Sequence, residues 1–212
     1  MGKERSGRQE RKAAQREAAE RSKRRNTLFW RAVLVVVVLG AGAILYGHIR
    51  KGRLLDAVTS ANYVGGTHVA GPISYKENPP VGGPHNIVWQ NCGIYDAPIH
   101  NEHAVHALEH GAIWITYRPD LPADQVQMLK TVASDDFMLL SPYPGLPAPV
   151  VASAWNHQIT LDGASDPRLQ AFIDEYKNNP QTTPEFGAPC AGGTSAYATA
   201  DTLTSPQRGM TR

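Results

Sequence analysis

Histidines are concentrated in one short part of the sequence. Six of the eight lie between residues 68 and 110, and His100, His103, His106 and His110 fall within 11 residues. On a helix, which turns about 100° per residue, the last three of these would lie within roughly 60° of one another. Neutral imidazole is a preferred ligand of zinc and copper. The spacing therefore predicts three imidazoles on one helical face, either binding a metal or forming a polar cluster.

A further histidine can complete such a site from outside the helix. His85 follows GGP, so it lies on a loop shaped by glycine and proline. We predict that His85, His106 and His110 bind copper or zinc, with His103 as an additional candidate and Glu109 hydrogen-bonded behind the ligands. A simpler alternative stays open, in which neighbouring glutamates hydrogen-bond to the histidines and no ion binds.

His106, Glu109 and His110 also form H-x-x-E-H, the pattern of inverted zinc proteases. In those enzymes the two histidines hold zinc and the glutamate is the general base. Five-residue patterns arise easily in a histidine-rich segment, and the sequence contains no nucleophile elbow, phosphate loop or dinucleotide fingerprint. We therefore predict a non-enzymatic accessory role, with no catalytic residues assigned. The first alternative is an interaction module that docks on a membrane complex without metal, and the second is a zinc hydrolase.

The N-terminal quarter of the chain has the composition of a membrane anchor. Ten Lys and Arg residues precede Arg31, and the 18 residues between Arg31 and Arg50 carry no charge. Such a run is long enough to cross a bilayer, and the preceding positive charge places the N-terminus in the cytoplasm. We predict a basic cytoplasmic tail at 1–26 and a transmembrane helix in the lipid bilayer at 27–49. A cleaved signal peptide is the rival, but such peptides have a short charged segment before the apolar run.

The rest of the chain is predicted to lie outside the cytoplasm. A juxtamembrane linker at 50–70 leads into one domain at 71–192, and a Ser/Thr-rich disordered tail follows at 193–212. From residue 54 onward there are 7 Lys and Arg against 15 Asp and Glu. This acidic balance, without a platform of aromatic and basic side chains, argues against a nucleic-acid partner. The expected macromolecular partner is a membrane protein.

The chain has two cysteines, Cys92 and Cys190. An extracytoplasmic compartment permits oxidation, and an even count favours a disulfide between them. Two reduced thiols that bind a metal are the alternative, although no C-x-x-C spacing is present.

Several segments indicate regular structure in the domain. Strands are predicted at 86–90, 112–117, 137–140, and in two pieces at 150–161. Helices are predicted at 99–110, 123–134 and 166–178. Gly111 is expected to end the first helix in a left-handed conformation, and Asp166 followed by Pro167 is expected to begin the third. The fold class is therefore α+β, a small mainly antiparallel sheet with two to three helices, preceded by one N-terminal transmembrane helix.

Six segments resemble a bacterial family known as domain of unknown function 3105. They are NPPVGGPH at 78–85, CGIYDAPI at 92–99, EHAVHALEHGAIWITYRPDLP at 102–122, LLSPYPGLPAP at 139–149, SAWNHQ at 153–158, and PEFGAPC ending at residue 190. The resemblance implies that His85, His106, Glu109 and His110 match the family's most recognisable polar positions, and that Cys190 belongs to the domain. It also implies a membrane-anchored protein without an assigned activity.

Overall fold

A computed structural model of the chain describes the backbone of residues 2–198 and the side chains of residues 20–198 apart from residue 22. The chain divides into two compact units, with the boundary between Gly52 and Arg53. The first unit is helical, and the second contains the sheet and seven of the eight histidines.

Helix α1, Gly2–Leu55, extends on both sides of the span predicted at 27–49. Its segment Lys23–Leu55 is long and apolar enough to cross a membrane, and none of its most apolar stretch is buried in the protein. The four consecutive valines at 35–38 are each more than half exposed. Such an apolar surface is unfavourable in water, so this helix suits a lipid environment.

The second unit is built on a six-stranded sheet. Its strands are β1 Thr59–Ser60, β2 Gly93–Ile94, β3 Ile113–Tyr117, β4 Met138–Pro142, β5 Val150–Ala154 and β6 His157–Leu161. They are ordered β1-β6-β5-β3-β4-β2. The pairs β1–β6, β6–β5 and β5–β3 are antiparallel, whereas β3–β4 and β4–β2 are parallel. The predicted α+β class is confirmed, and the sheet is mixed.

Up to residue 198, three helices complete this unit: α2 Asn101–Glu109, α3 Ala123–Val132 and α4 Pro167–Tyr176. Successive side chains of β3 point to opposite faces of the sheet, so Ile113 packs in the core with α3 and α4, while Trp114 packs in the core with α2. Asp166 caps α4 by accepting the Arg168 N–H at 2.9 Å, as predicted. The sheet is therefore covered on both faces, and α2 holds the histidines against one of them.

One predicted strand is wrong. Residues 86–90 do not join the sheet: two of their N–H groups donate to α2, and Gln90 makes only an isolated bridge with Thr194. The Asn86 N–H donates to the Glu102 carbonyl at 3.2 Å, and the Gln90 N–H donates to the His103 carbonyl at 2.9 Å. These two hydrogen bonds hold the segment along α2, although its apolar residues favoured a strand.

The ends of the domain also extend beyond the predicted limits. Within the predicted linker, Thr59–Ser60 is strand β1. At the other end, the Asn91 N–H donates to the Thr194 carbonyl at 2.8 Å, and the Gln90 side chain donates to the Ala196 carbonyl at 3.2 Å. Residues 193–198 of the predicted tail therefore pack on the domain, and the rest of that tail lies outside the described residues.

Gly111 ends α2 in the left-handed conformation that was predicted, with φ of 98°. A Cβ atom there would lie 2.9 Å from Asn178 Cα and 3.0 Å from Thr183 Oγ1. We expect Gly111→Ala to lower the free energy of unfolding by roughly 1–3 kcal/mol, because it adds collisions to an unfavourable φ. Urea unfolding of the full-length chain in detergent measures this change. Gly145→Ala is the control, since Gly145 has φ of 78° and open space around it. Equal losses in the two variants would contradict the role of the collisions.

Candidate metal centre

Helix α2 is buried along almost its whole length, including its ionisable side chains. Glu102, His103 and His106 are at most 5% exposed, and Glu109 is fully buried. Buried polar groups are costly unless they are paired, so each of them must find a partner inside the protein.

Four histidines use their Nδ1 atoms in the same way. The Nδ1–H of each ring donates to a backbone carbonyl: His85 to Gly83 at 2.8 Å, His103 to Val88 at 2.5 Å, His106 to Asn86 at 2.7 Å and His110 to Pro189 at 2.7 Å. Because a carbonyl can only accept, the proton must be on Nδ1. The neutral ring then presents a lone pair on Nε2, which is the arrangement that carbonyls impose on histidine ligands of metals.

One set of side chains, here called the inner group, comprises His68, His85, His106 and Glu109. Their potential ligand atoms all lie within 4.8 Å of one another. The His85 Nε2 and Glu109 Oε2 atoms are 2.9 Å apart, and both side chains are fully buried. Burial lowers the pKa of His106 to about 4, so its ring is neutral at pH 7. Three imidazoles and one carboxylate therefore converge on one point.

The His85–Glu109 contact brings together two polar atoms that are not hydrogen-bonded. The two facing atoms are close enough for an ion pair, yet neither His85 Nε2 nor Glu109 Oε2 has a hydrogen-bond partner in the part of the chain that the structure describes. Since the His85 proton is committed to Gly83, a neutral ring would point its lone pair at a carboxylate oxygen, which is repulsive. A cation at this point, either a second proton or a metal ion, would remove the repulsion.

Glu109 is held by the backbone as well as by His85. The Gly66 N–H donates to Glu109 Oε1 at 2.5 Å. Burial alone would raise the pKa of this carboxyl, but its close contact with His85 and the hydrogen bond from the Gly66 N–H outweigh burial, so the pKa is lowered. The carboxylate is ionised at neutral pH. The sequence placed Glu109 behind the ligands, whereas its oxygen lies among the potential ligand atoms.

A second set, here called the outer group, comprises His106, His110 and Glu185. The His110 Nε2 atom is 3.2 Å from Glu185 Oε2, and the Glu185 side chain is 41% exposed. The ring centroids of His106 and His110 are 4.6 Å apart, as expected for residues one turn apart on a helix. His106 therefore belongs to both groups.

The predicted ligands are thus distributed over two groups. His85 lies in the inner group and His110 in the outer group, and among the described residues no group of potential ligands contains both. His103 is in neither group; its Nδ1 donates to the Val88 carbonyl, and its ring contacts His100, with centroids 5.7 Å apart. The spacing on α2 predicted the His106–His110 pair but not the position of His103.

Two members of these groups were not found from the sequence. His68 pairs through its backbone with the His85 region, since the Val69 N–H donates to the His85 carbonyl at 2.8 Å. Its one sequence signal is that it is the first of the six clustered histidines. Glu185 is brought to His110 by the segment that precedes Cys190, and no sequence pattern marks it.

Cys92 and Cys190 are paired, with Cα atoms 5.4 Å apart, in the range of disulfides. Both cysteines are therefore unavailable as thiolate ligands. The Cys92 N–H donates to the Cys190 carbonyl at 2.8 Å. The pair fastens the C-terminal segment, which carries Glu185 and the Pro189 carbonyl, beside the end of α2.

The second unit is thus an α+β domain with a buried cluster of histidine and glutamate side chains. Residues 68–192, well over half of the chain, match the family described as protein of unknown function, DUF3105, and the chain belongs to this family. The match begins at His68 and includes both groups and both cysteines. No curated protein and no solved structure gives a significant match to the chain.

Proposed function

We propose that this protein is a membrane-anchored domain that holds one transition metal ion, Zn²⁺ or Cu²⁺, outside the cytoplasm in a non-enzymatic accessory role. The ligands are His68, His85, His106 and Glu109. The observation that carries the proposal is the buried pair of atoms, His85 Nε2 and Glu109 Oε2, which face each other 2.9 Å apart without a hydrogen-bond partner among the described residues.

A metal ion explains this pair better than a second proton does. A proton on His85 Nε2 would give a fully buried ion pair, whose desolvation costs several kcal/mol per ion. It would also leave the Nε2 lone pair of neutral His106, which lies at the same point, with nothing to bind. One ion satisfies these atoms together. Imidazole and carboxylate ligands without thiolate or thioether suit Zn²⁺ and Cu²⁺, whereas Cu⁺ prefers sulfur.

The arrangement argues against a zinc hydrolase that uses H-x-x-E-H. In that mechanism both histidines bind one zinc ion and the glutamate remains free to activate water. Here His106 and His110 share a group that lacks Glu109, and Glu109 is engaged by Gly66 and His85. Four protein ligands would also complete a tetrahedral zinc site, as in structural rather than catalytic centres.

The membrane location rests on α1 and on the disulfide. The segment Lys23–Leu55 suits a bilayer, and the ten basic residues before Arg31 favour a cytoplasmic N-terminus. The Cys92–Cys190 pair suits an oxidising compartment on the other side. The long basic segment before the apolar run favours a retained anchor over a cleaved signal peptide.

An interaction module that needs no metal is the second candidate. Val64, Ile87 and Phe186 are large apolar side chains that are 83%, 66% and 54% exposed. Exposed apolar side chains are favourable at contacts with another protein. In this case, capture of a membrane-protein partner would persist after the metal ligands are replaced.

Elemental analysis of the full-length chain tests the metal proposal. The protein, purified in detergent without a polyhistidine tag, is incubated with Zn²⁺ or Cu²⁺ and desalted. We expect about one ion per chain, and almost none in His85→Ala, because that variant loses a ligand and leaves Glu109 unpaired. His157→Ala is the control, since His157 contacts Ser60 and Tyr176 and lies in neither group. A parent that retains no metal, or a His85→Ala variant that retains as much as the parent, would refute the proposal.

A further inference from the structure

We propose that the outer group is an exchange position, through which the metal ion reaches and leaves the inner group by way of His106. This inference rests on the proposed metal function and adds the route that the ion takes. It assigns Glu185 and His110 to transfer of the ion rather than to its final binding.

The shared residue, His106, can serve only one ion at a time. Its Nδ1–H donates to the Asn86 carbonyl at 2.7 Å, so Nε2 is the one nitrogen left to bind. The ring centroid of His106 is 4.7 Å from that of His85 and 4.6 Å from that of His110. An imidazolate bridge between two ions would need both nitrogens of the ring. The two groups are therefore alternative positions of one ion rather than halves of a dinuclear centre.

The two groups reach the surface through side chains of different charge. The exposed member of the inner group is His68, an imidazole, whereas that of the outer group is Glu185, a carboxylate that is 41% exposed. A carboxylate at the surface attracts a hydrated cation and raises its local concentration. His110 Nε2 lies 3.2 Å from this carboxylate, so the ion can gain its first imidazole ligand without leaving Glu185.

The side chains form a continuous series of ligands from the surface inward. The order is Glu185, His110, His106 and then His85. Each transfer replaces one ligand while others remain bound, which avoids releasing the bare ion inside the protein. Several weak, adjacent sites allow an ion to move where a single tight site would retain it. His68, the exposed member of the inner group, is the competing route.

Stopped-flow measurement of Cu²⁺ exchange tests the route in the full-length chain in detergent. Bound Cu²⁺ quenches nearby tryptophans, and Trp89 lies beside the outer group, with its ring centroid 5.0 Å from that of His110. Uptake is started with Cu²⁺ and release with excess EDTA. In Glu185→Gln we expect both rates to fall in parallel, by about tenfold or more, because the surface carboxylate that recruits the entering ion and accepts the leaving ion is gone. Glu175→Gln, the same change on α4, should exchange at the parent rate.

The outcomes separate this inference from the proposed function on which it rests. Parallel slowing of uptake and release in Glu185→Gln alone supports the route. Exchange at the parent rate in Glu185→Gln overturns the route and favours passage at His68, while one ion per chain still supports metal binding. Two ions per chain at saturation, or loss of the ion from Glu185→Gln at equilibrium, also overturns the route. A parent that binds no Cu²⁺ overturns both.

Discussion

Replacement of His106 by alanine should abolish metal binding by the full-length chain more completely than any other single change. His106 is the one residue common to the inner and outer groups, so its loss removes a ligand from both positions. Removal of a residue that hydrogen-bonds to a metal ligand already weakens metal binding by about 10–100-fold. Removal of the ligand itself should weaken binding by more than this. Competition with a chelator measures the affinity. A parent saturated at about 100 times its Kd should gain about 2.7 kcal/mol of stability from Zn²⁺, and His106→Ala should gain none.

His103→Ala is the matched control for this prediction. His103 lies one turn earlier on α2, is buried to the same degree, and donates its Nδ1–H to a carbonyl of the same loop. The two variants should therefore lose similar free energy of unfolding without metal, roughly 1–3 kcal/mol. Metal binding should be lost in His106→Ala and retained in His103→Ala. Equal loss in both would mean that binding depends on the fold of α2 rather than on ligation by His106.

The helical part of the centre could be predicted from the sequence because its geometry is local. Residues three and four apart on a helix are neighbours, so the spacing indicated that His106 and His110 would meet. Gly111 marked the end of the helix, since the left-handed conformation that it adopts favours glycine. Two other features also depend only on neighbouring residues. The side chains of a strand alternate between the two faces of a sheet, and Asp166 caps α4 through the backbone two residues further on.

The non-local part of the centre could not be predicted in the same way. His68, Glu109 and His85 meet because loop backbone groups bind the helix and one another, as when the Gly66 N–H donates to Glu109. Such loop contacts produce no periodic pattern of apolar residues in the sequence. The segment 86–90 shows the difficulty directly, because its apolar residues favoured a strand although two of its N–H groups donate to carbonyls of α2. Local propensity was overridden there by a tertiary demand for hydrogen bonds.

Loss of the Cys92–Cys190 disulfide should have the largest effect on the stability of the domain. The two residues are separated by 98 positions, and closing a loop of this length stabilises the folded state by about 4–5 kcal/mol in the chain-entropy model. Domains of this size are stable by only about 5–15 kcal/mol, so the variant with both cysteines replaced by serine should lose from about a third to nearly all of its stability. Urea unfolding in detergent with EDTA present, followed by tryptophan fluorescence, measures this loss apart from any metal effect.

Reductant provides the control, because it should shift the unfolding midpoint of the parent to that of the double serine variant and leave the variant unchanged. An unchanged midpoint of the reduced parent would contradict the prediction.

The disulfide also has a local consequence at the metal centre. It fastens the segment whose Pro189 carbonyl accepts the His110 Nδ1–H, and whose Glu185 faces His110 Nε2. Metal exchange through the outer group should therefore be slower in the double serine variant than in the parent, at urea concentrations where the inner group, held by Gly66, Gly83 and Asn86, is still folded.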